Sequence, residues 1–98
     1  MEVVYEDERL SRVETDQAAE TKLPISVIMS CRRKLVVIRA APDERTLRNW
    51  KSLHFEKLKT DRQGQYSIRL NDQWRLVFRL DDSVKPLKFI VLEIADYH

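Results

Sequence analysis

Residues 65–80 carry the pattern that most limits the folds open to this chain. From Gln65 to Leu70 the apolar positions are Tyr66, Ile68 and Leu70, with Gln65, Ser67 and Arg69 between them. From Gln73 to Leu80, Trp74, Leu76, Phe78 and Leu80 alternate with Gln73, Arg75, Val77 and Arg79. Successive side chains of a strand point to opposite faces, so this period of two describes strands with one buried face. The runs meet at Asn71-Asp72, residue types that favour turns because their side chains bond nearby backbone. The segment predicts a hairpin, packed by one face on helices and open on the other. Asp81, Asp82, Ser83 and Pro86 mark a second turn region. Residues 87–94 are then apolar at both parities, as expected of a strand that is central or covered on both sides.

The upstream half reads differently. Residues 1–5 (Met1, Val3 and Tyr5 on one parity) predict a short edge strand, and residues 6–23 at most one or two short helical turns. After Pro24, Ile25, Ile28, Met29, Cys31, Leu35, Val36 and Ile38 recur at spacings of three and four. They predict an amphipathic helix over 24–40 with a single apolar stripe. Pro42 closes it, because the residue before a proline is driven out of helical geometry. Asp43 is placed to cap a second helix over 44–50, with Leu47 and Trp50 facing the core. Residues 51–64 read as a basic connection ending at Gly64, the only glycine, where a turn needs positive φ. The expectation is one α+β domain over residues 1–98. An N-terminal strand and helices pack on an antiparallel sheet that ends in a three-stranded meander.

Charge is distributed unevenly. Residues 2–20 hold seven acidic side chains against Arg9 and Arg12, whereas residues 57–79 hold Lys57, Lys59, Arg62, Arg69, Arg75 and Arg79 against Asp61 and Asp72. A basic cluster of this kind attracts polyanions. The lone Cys31 excludes an internal disulfide framework and a cysteine-rich zinc site, and a reducing, cytoplasmic setting is expected. The sequence shows no long apolar run for a membrane span, and one glycine cannot build a glycine-rich phosphate loop. His54 and His98 are far apart in sequence and the acids are scattered, so neither a metal set nor a cofactor is expected.

Alternation has a chemical consequence for Arg69 and Arg75. They flank the hairpin turn on adjacent strands, both in the polar set, so both can project from one side of the sheet. Like charges that close repel unless an anion lies between them, and an arginine fork matches phosphate geometry. Two solvated arginines, or arginines neutralised by Asp72 and Asp96, are the plainer outcome. Asp96, Tyr97 and His98 follow the last strand and can return beside Arg75, although chain ends are often frayed. Histidine moves protons near neutral pH, and tyrosine can stack on a base. His54 is either an acid–base group or a plain loop residue. Cys31 falls on the core stripe, where a thiol is inert. Together these groups suit attack of an RNA 2′-hydroxyl on the adjacent phosphorus, with cations stabilising the phosphoryl oxygens.

The stretch Leu58-Lys59-Thr60-Asp61-Arg62-Gln63-Gly64-Gln65-Tyr66-Ser67-Ile68-Arg69-Leu70-Asn71-Asp72-Gln73-Trp74-Arg75-Leu76-Val77-Phe78-Arg79 resembles the core motif of HigB toxins, members of the RelE/ParE toxin superfamily. The terminal Asp96-Tyr97-His98 is similar to that family's ending. The motif covers about a quarter of the chain, and length and element order agree over nearly all of it. The resemblance implies a ribosome-dependent mRNA interferase that cuts translated messages at the ribosomal A site without a metal. It implies that Arg69 contacts the scissile phosphate and Arg75 supports the transition state. Tyr97 would stack on or position the message, and Asp96 and His98 match the terminal catalytic residues. His54 corresponds to an acid–base histidine, and Lys57 and Lys59, with Arg62 and Arg79 of the same basic cluster, would hold RNA phosphates. The implied partners are a HigA-like helix-turn-helix antitoxin, the ribosome with its mRNA, and operator DNA bound mainly through the antitoxin.

Two departures stand out. Thr60 occupies a position where the family often has glycine, which bears on the loop carrying Lys59. Residues 81–88 and the N-terminal third carry no assignable role. Rival readings are a ParE-like toxin acting on DNA gyrase and a non-catalytic RNA-binding module. Gyrase-directed relatives usually lack the terminal Tyr–His pair that this chain has, and a pure binding module would bind RNA without cutting it.

Overall fold

The computed structural model describes residues 1–58 and 64–96. The order of elements is β1 (Glu2–Tyr5), two 3-10 helices (Glu8–Glu14 and Ala18–Thr21), α1 (Ile25–Ala40), α2 (Glu44–Asn49), a 3-10 turn (Lys51–Leu53), β2 (Glu56–Lys57), β3 (Tyr66–Arg69), β4 (Trp74–Asp81) and β5 (Lys88–Asp96). One five-stranded sheet has the order β1-β5-β4-β3-β2. The expected meander is β3-β4-β5, antiparallel throughout.

The sheet is mixed rather than antiparallel, because β1 pairs in parallel with β5. Parallel neighbours need a long crossover, and here both helices and three strands lie between the two partners. The second difference is β2, two residues paired with β3 inside what reads as a connection. Two residues cannot display an alternation. The third lies at the hairpin, where β3 stops at Arg69 and Leu70–Gln73 form the turn. Asn71 Oδ1 accepts from Gln73 N at 2.9 Å and Trp74 N at 2.8 Å. That side chain replaces a backbone turn bond, as asparagine commonly does.

The helices begin and end where local chemistry sets them. Pro24 is the residue before α1, and its carbonyl accepts from Val27 N and Ile28 N. Ala41, before Pro42, is extended and terminates the helix. Asp43 Oδ1 accepts from Arg45 N at 3.0 Å and caps α2. The apolar face of α1 differs from the expected stripe. Val27, Ile28, Ser30, Cys31, Leu35 and Ile38 are buried, whereas Ile25, Met29 and Val36 are exposed. At 100° per residue, those last three lie within roughly 40° of each other and form a separate outward face.

The buried side of the sheet presents Ile68, Leu76, Phe78, Phe89 and Val91 to Leu35, Ile38, Leu47 and Leu53. Phe78 and Phe89 stack with centroids 4.1 Å apart. The other face is less open than alternation suggests. Ser67 and Val77 stand opposite one another there and are fully buried. A register shift between Val77 and Phe78 then re-aims the far half of β4. Among the described residues, no helix is long and apolar enough to cross a membrane.

Candidate nucleic-acid interface

Hairpin register brings the two arginines together. Arg69 on β3 is the direct cross-strand partner of Arg75 on β4. Opposed residues in such a pair project from the same face with Cβ atoms about 5 Å apart. Beside them lies a cleft of about 450 Å³ lined by His54, Glu56, Arg69, Asn71, Asp72, Gln73 and Arg75. That volume falls in the usual range of ligand sites.

The two guanidinium groups are held differently. Arg75 is only 13% exposed. Its Nε donates to Ser67 Oγ at 2.8 Å, and its Nη2 donates to the His54 carbonyl and, at 3.5 Å, to the Ser67 carbonyl. Glu56 Oε2 lies 3.9 Å from the same nitrogen. Arg75 is therefore a fixed cation on a buried serine. Arg69 is more exposed, donating through Nε to the Asn71 carbonyl at 3.2 Å and through Nη2 to Asp72. Asp72 is 93% exposed, so this pair contributes at most about 1 kcal/mol, and a phosphate can displace the carboxylate cheaply.

His54 is drawn into the centre by its backbone. It adopts the left-handed conformation with φ 48°, which histidine tolerates better than most residues. This turns the chain out of the 51–53 helix, whose last bond runs from His54 N to the Lys51 carbonyl at 3.1 Å. The His54 carbonyl then meets Arg75 while ring Nε2 lies 3.3 Å from Arg69 Nη1. A guanidinium can only donate, so Nε2 is the acceptor in this contact.

Other expected site residues fall elsewhere. Asp96 ends β5, its backbone opposite Trp74, while Ala95 is opposite Arg75. Lys57 is exposed on β2 opposite Tyr66, and its neighbour Glu56 lines the cleft. Arg79 lies four residues along β4 from Arg75 and faces Glu6 Oε2 at 3.4 Å, outside the cleft. Lys59, Arg62, Tyr97 and His98 lie outside the described residues. Glu56, Asn71 and Gln73 also line the cleft, and the sequence points to none of them as a site residue. The cross-strand pairing of β2 with β3 is what brings Glu56 in, and a two-residue strand gives no advance signal of it.

Cys31 is buried, and desolvation pushes its thiol up to about 12, which suits a core residue. Among the described residues, no group of three or more His, Cys, Asp or Glu side chains is arranged to hold a metal ion.

Comparisons with known proteins place the chain in a toxin family and match its fold. A family model described as "RelE-like toxin of type II toxin-antitoxin system HigB" matches residues 3–98. Toxin HigB-1 of Vibrio cholerae serotype O1 is 33% identical over 84 residues, covering 86% of this chain and 88% of that protein. The fold is similar to a YoeB/ParE toxin from Agrobacterium tumefaciens, with TM-score 0.59, 18% identity, and 100% and 99% of the two chains covered. It is also similar to a chain of the YoeB-YefM complex from Staphylococcus aureus, with TM-score 0.57, 18% identity, and 100% and 97% covered. The chain therefore belongs to the HigB-like family of RelE-like toxins of type II toxin–antitoxin systems.

Proposed function

We propose that this chain, as one toxin domain, is an endoribonuclease that cuts translated mRNA in the ribosomal A site. The observation that carries the reading is the Arg69–Arg75 cross-strand pair with His54 Nε2 against Arg69, in a cleft large enough for a nucleotide. A phosphate entering between the arginines replaces Asp72 as the acceptor of Arg69. His54 Nε2, released from Arg69, takes the proton of the 2′-hydroxyl. The 2′-oxygen bonds to phosphorus and the bond to the 5′-oxygen breaks, leaving a 2′,3′-cyclic phosphate and a 5′-hydroxyl. Arg75 stays on Ser67 and stabilises the charge that builds on the phosphoryl oxygens, as preorganised donors do most effectively. A general acid protonates the departing 5′-oxygen. Asp96, Tyr97 and His98 are the candidates for that role and for holding the base, and Lys57, Lys59, Arg62 and Arg79 for binding flanking phosphates.

Family membership supports a second part of the reading, a cognate helix-turn-helix antitoxin. The staphylococcal YoeB-YefM structure of this fold is a toxin–antitoxin complex. The test is a translation reaction with purified ribosomes and a defined message, with new 5′ ends mapped by primer extension. Cleavage that requires ribosomes, and products ending in 5′-hydroxyl and cyclic phosphate, are expected. Intact message in the presence of folded protein would overturn the reading and turn attention to gyrase supercoiling.

A further inference from the structure

α1 brings a third cation to the hairpin. Ser30 is buried, and its Oγ donates to the Leu70 carbonyl at 2.6 Å, tying the helix to the residue after Arg69. Lys34, one helical turn on, donates from Nζ to the same Ser30 Oγ at 3.0 Å. Its ammonium is thus held at the end of β3 rather than extended into solvent. Among the described residues, no carboxylate lies within ion-pair distance of it. The cations Arg33 and Arg69 lie near enough to act on it. Burial, with repulsion from these two, holds the lysine below its ordinary pKa.

A half-buried ammonium next to other cations, with no paired acid among the described residues, is stabilised by an anion brought to it. The serine supplies an acceptor for one of the ammonium's three donors. We propose that Lys34 forms a second phosphate-binding position, on α1 near Leu70 at the end of β3, for a phosphate of the RNA strand next to the one cut. The assignment rests on the RNA-cleaving reading above and extends its binding surface from the sheet to the helix. The strand then runs from the hairpin arginines across Leu70 toward α1. Lys34 acts as a point charge on the backbone and reads no base.

The test is the salt dependence of binding to a short single-stranded RNA carrying 2′-O-methyl groups, which cannot be cut by 2′-attack. Binding is compared for wild type, Lys34→Gln, Lys34→Arg and Arg69→Ala. Removing one phosphate contact to a single strand lowers the slope of log K against log salt by about 0.7. The expected result is that loss for Lys34→Gln, equally for RNAs of different sequence, with Lys34→Arg retaining the wild-type slope. Lys34→Met, which keeps the buried stem and loses the charge, gives a second reading should Lys34→Gln unfold. A wild-type slope for folded Lys34→Gln or Lys34→Met, with a reduced slope for Arg69→Ala, would overturn the Lys34 position and leave the arginine cleft standing. Wild-type slopes for every variant would instead overturn the RNA-binding reading on which it rests.

Discussion

Arg69 and Arg75 are equivalent in sequence pattern and unequal in the fold. Arg69 contacts an exposed aspartate, a turn carbonyl and the His54 ring. Replacing it by alanine is expected to change stability by less than about 1 kcal/mol, since an exposed ion pair contributes little. Arg75→Ala leaves the fully buried Ser67 hydroxyl without its partner and is expected to cost about 1–3 kcal/mol. Urea denaturation of the two variants checks this contrast. Both are expected to cut RNA more slowly, so the stability difference separates the anchored cation from the available one.

Tyr5, Glu14 and Arg39 form a second residue-scale unit, far from the cleft. Arg39 donates to both Glu14 oxygens, and the Tyr5 hydroxyl donates to Glu14 Oε2. The Arg39 bonds, aided by Tyr5, hold the Glu14 carboxyl below its ordinary range despite some desolvation. A depressed carboxyl contributes stability above its unfolded pKa and loses it as pH falls through the folded one. Burial, with the bond to Glu14, raises the Tyr5 phenol. A raised phenol contributes stability below its unfolded pKa, lost as pH rises through the folded value. Thermal melts of Tyr5→Phe against wild type are therefore expected to diverge less above pH 10, and those of Glu14→Gln less in acid, than near neutrality.

At the scale of elements, helix and turn boundaries were the most legible features. Pro42 and Asp43 end one helix and start the next as their chemistry dictates. Asp43→Ala is expected to lower stability by about 1 kcal/mol by urea denaturation, the usual loss for a cap. Gly64 has φ 81°, and an added Cβ would meet nothing within 4 Å. Gly64→Ala therefore costs backbone strain only, about 1 kcal/mol. The hairpin was readable because its alternation runs through both strands and Asn71 closes the turn. β2 was not, since two residues carry no period. The parallel pairing of β1 was not either, because a four-residue strand does not encode its neighbour's direction. On α1, counting apolar residues at three and four merged two faces that lie apart around the helix, and Ser30 filled the buried face unnoticed. The site followed the same division. Arg69 and Arg75 came from alternation, while the place of His54 depends on a left-handed backbone that sequence spacing does not display.

At the scale of the molecule, the charge separation seen in the sequence is partly cancelled within the fold. Asp7, Glu14, Glu20 and Glu6 pair with Arg9, Arg39, Arg12 and Arg79. Four of the seven acids of the N-terminal segment are thereby paired, two with nearby arginines and two with the distant Arg39 and Arg79. Arg69 and Arg75 remain together at one end of the hairpin, with Lys34 of α1 held near Leu70, and among the described residues Asp72 and Glu56 are the acids lining the cleft. This is the region to which a polyanion is drawn.

The central claim is that this cleft breaks the RNA backbone. The direct measurement is the single-turnover rate of cleavage of a ribosome-bound message by wild type and Arg69→Ala, with folding verified by circular dichroism. Loss of a donor to the developing phosphoryl charge predicts a rate lower by about 10²–10³-fold for Arg69→Ala. A folded Arg69→Ala that cuts as fast as wild type would contradict the account.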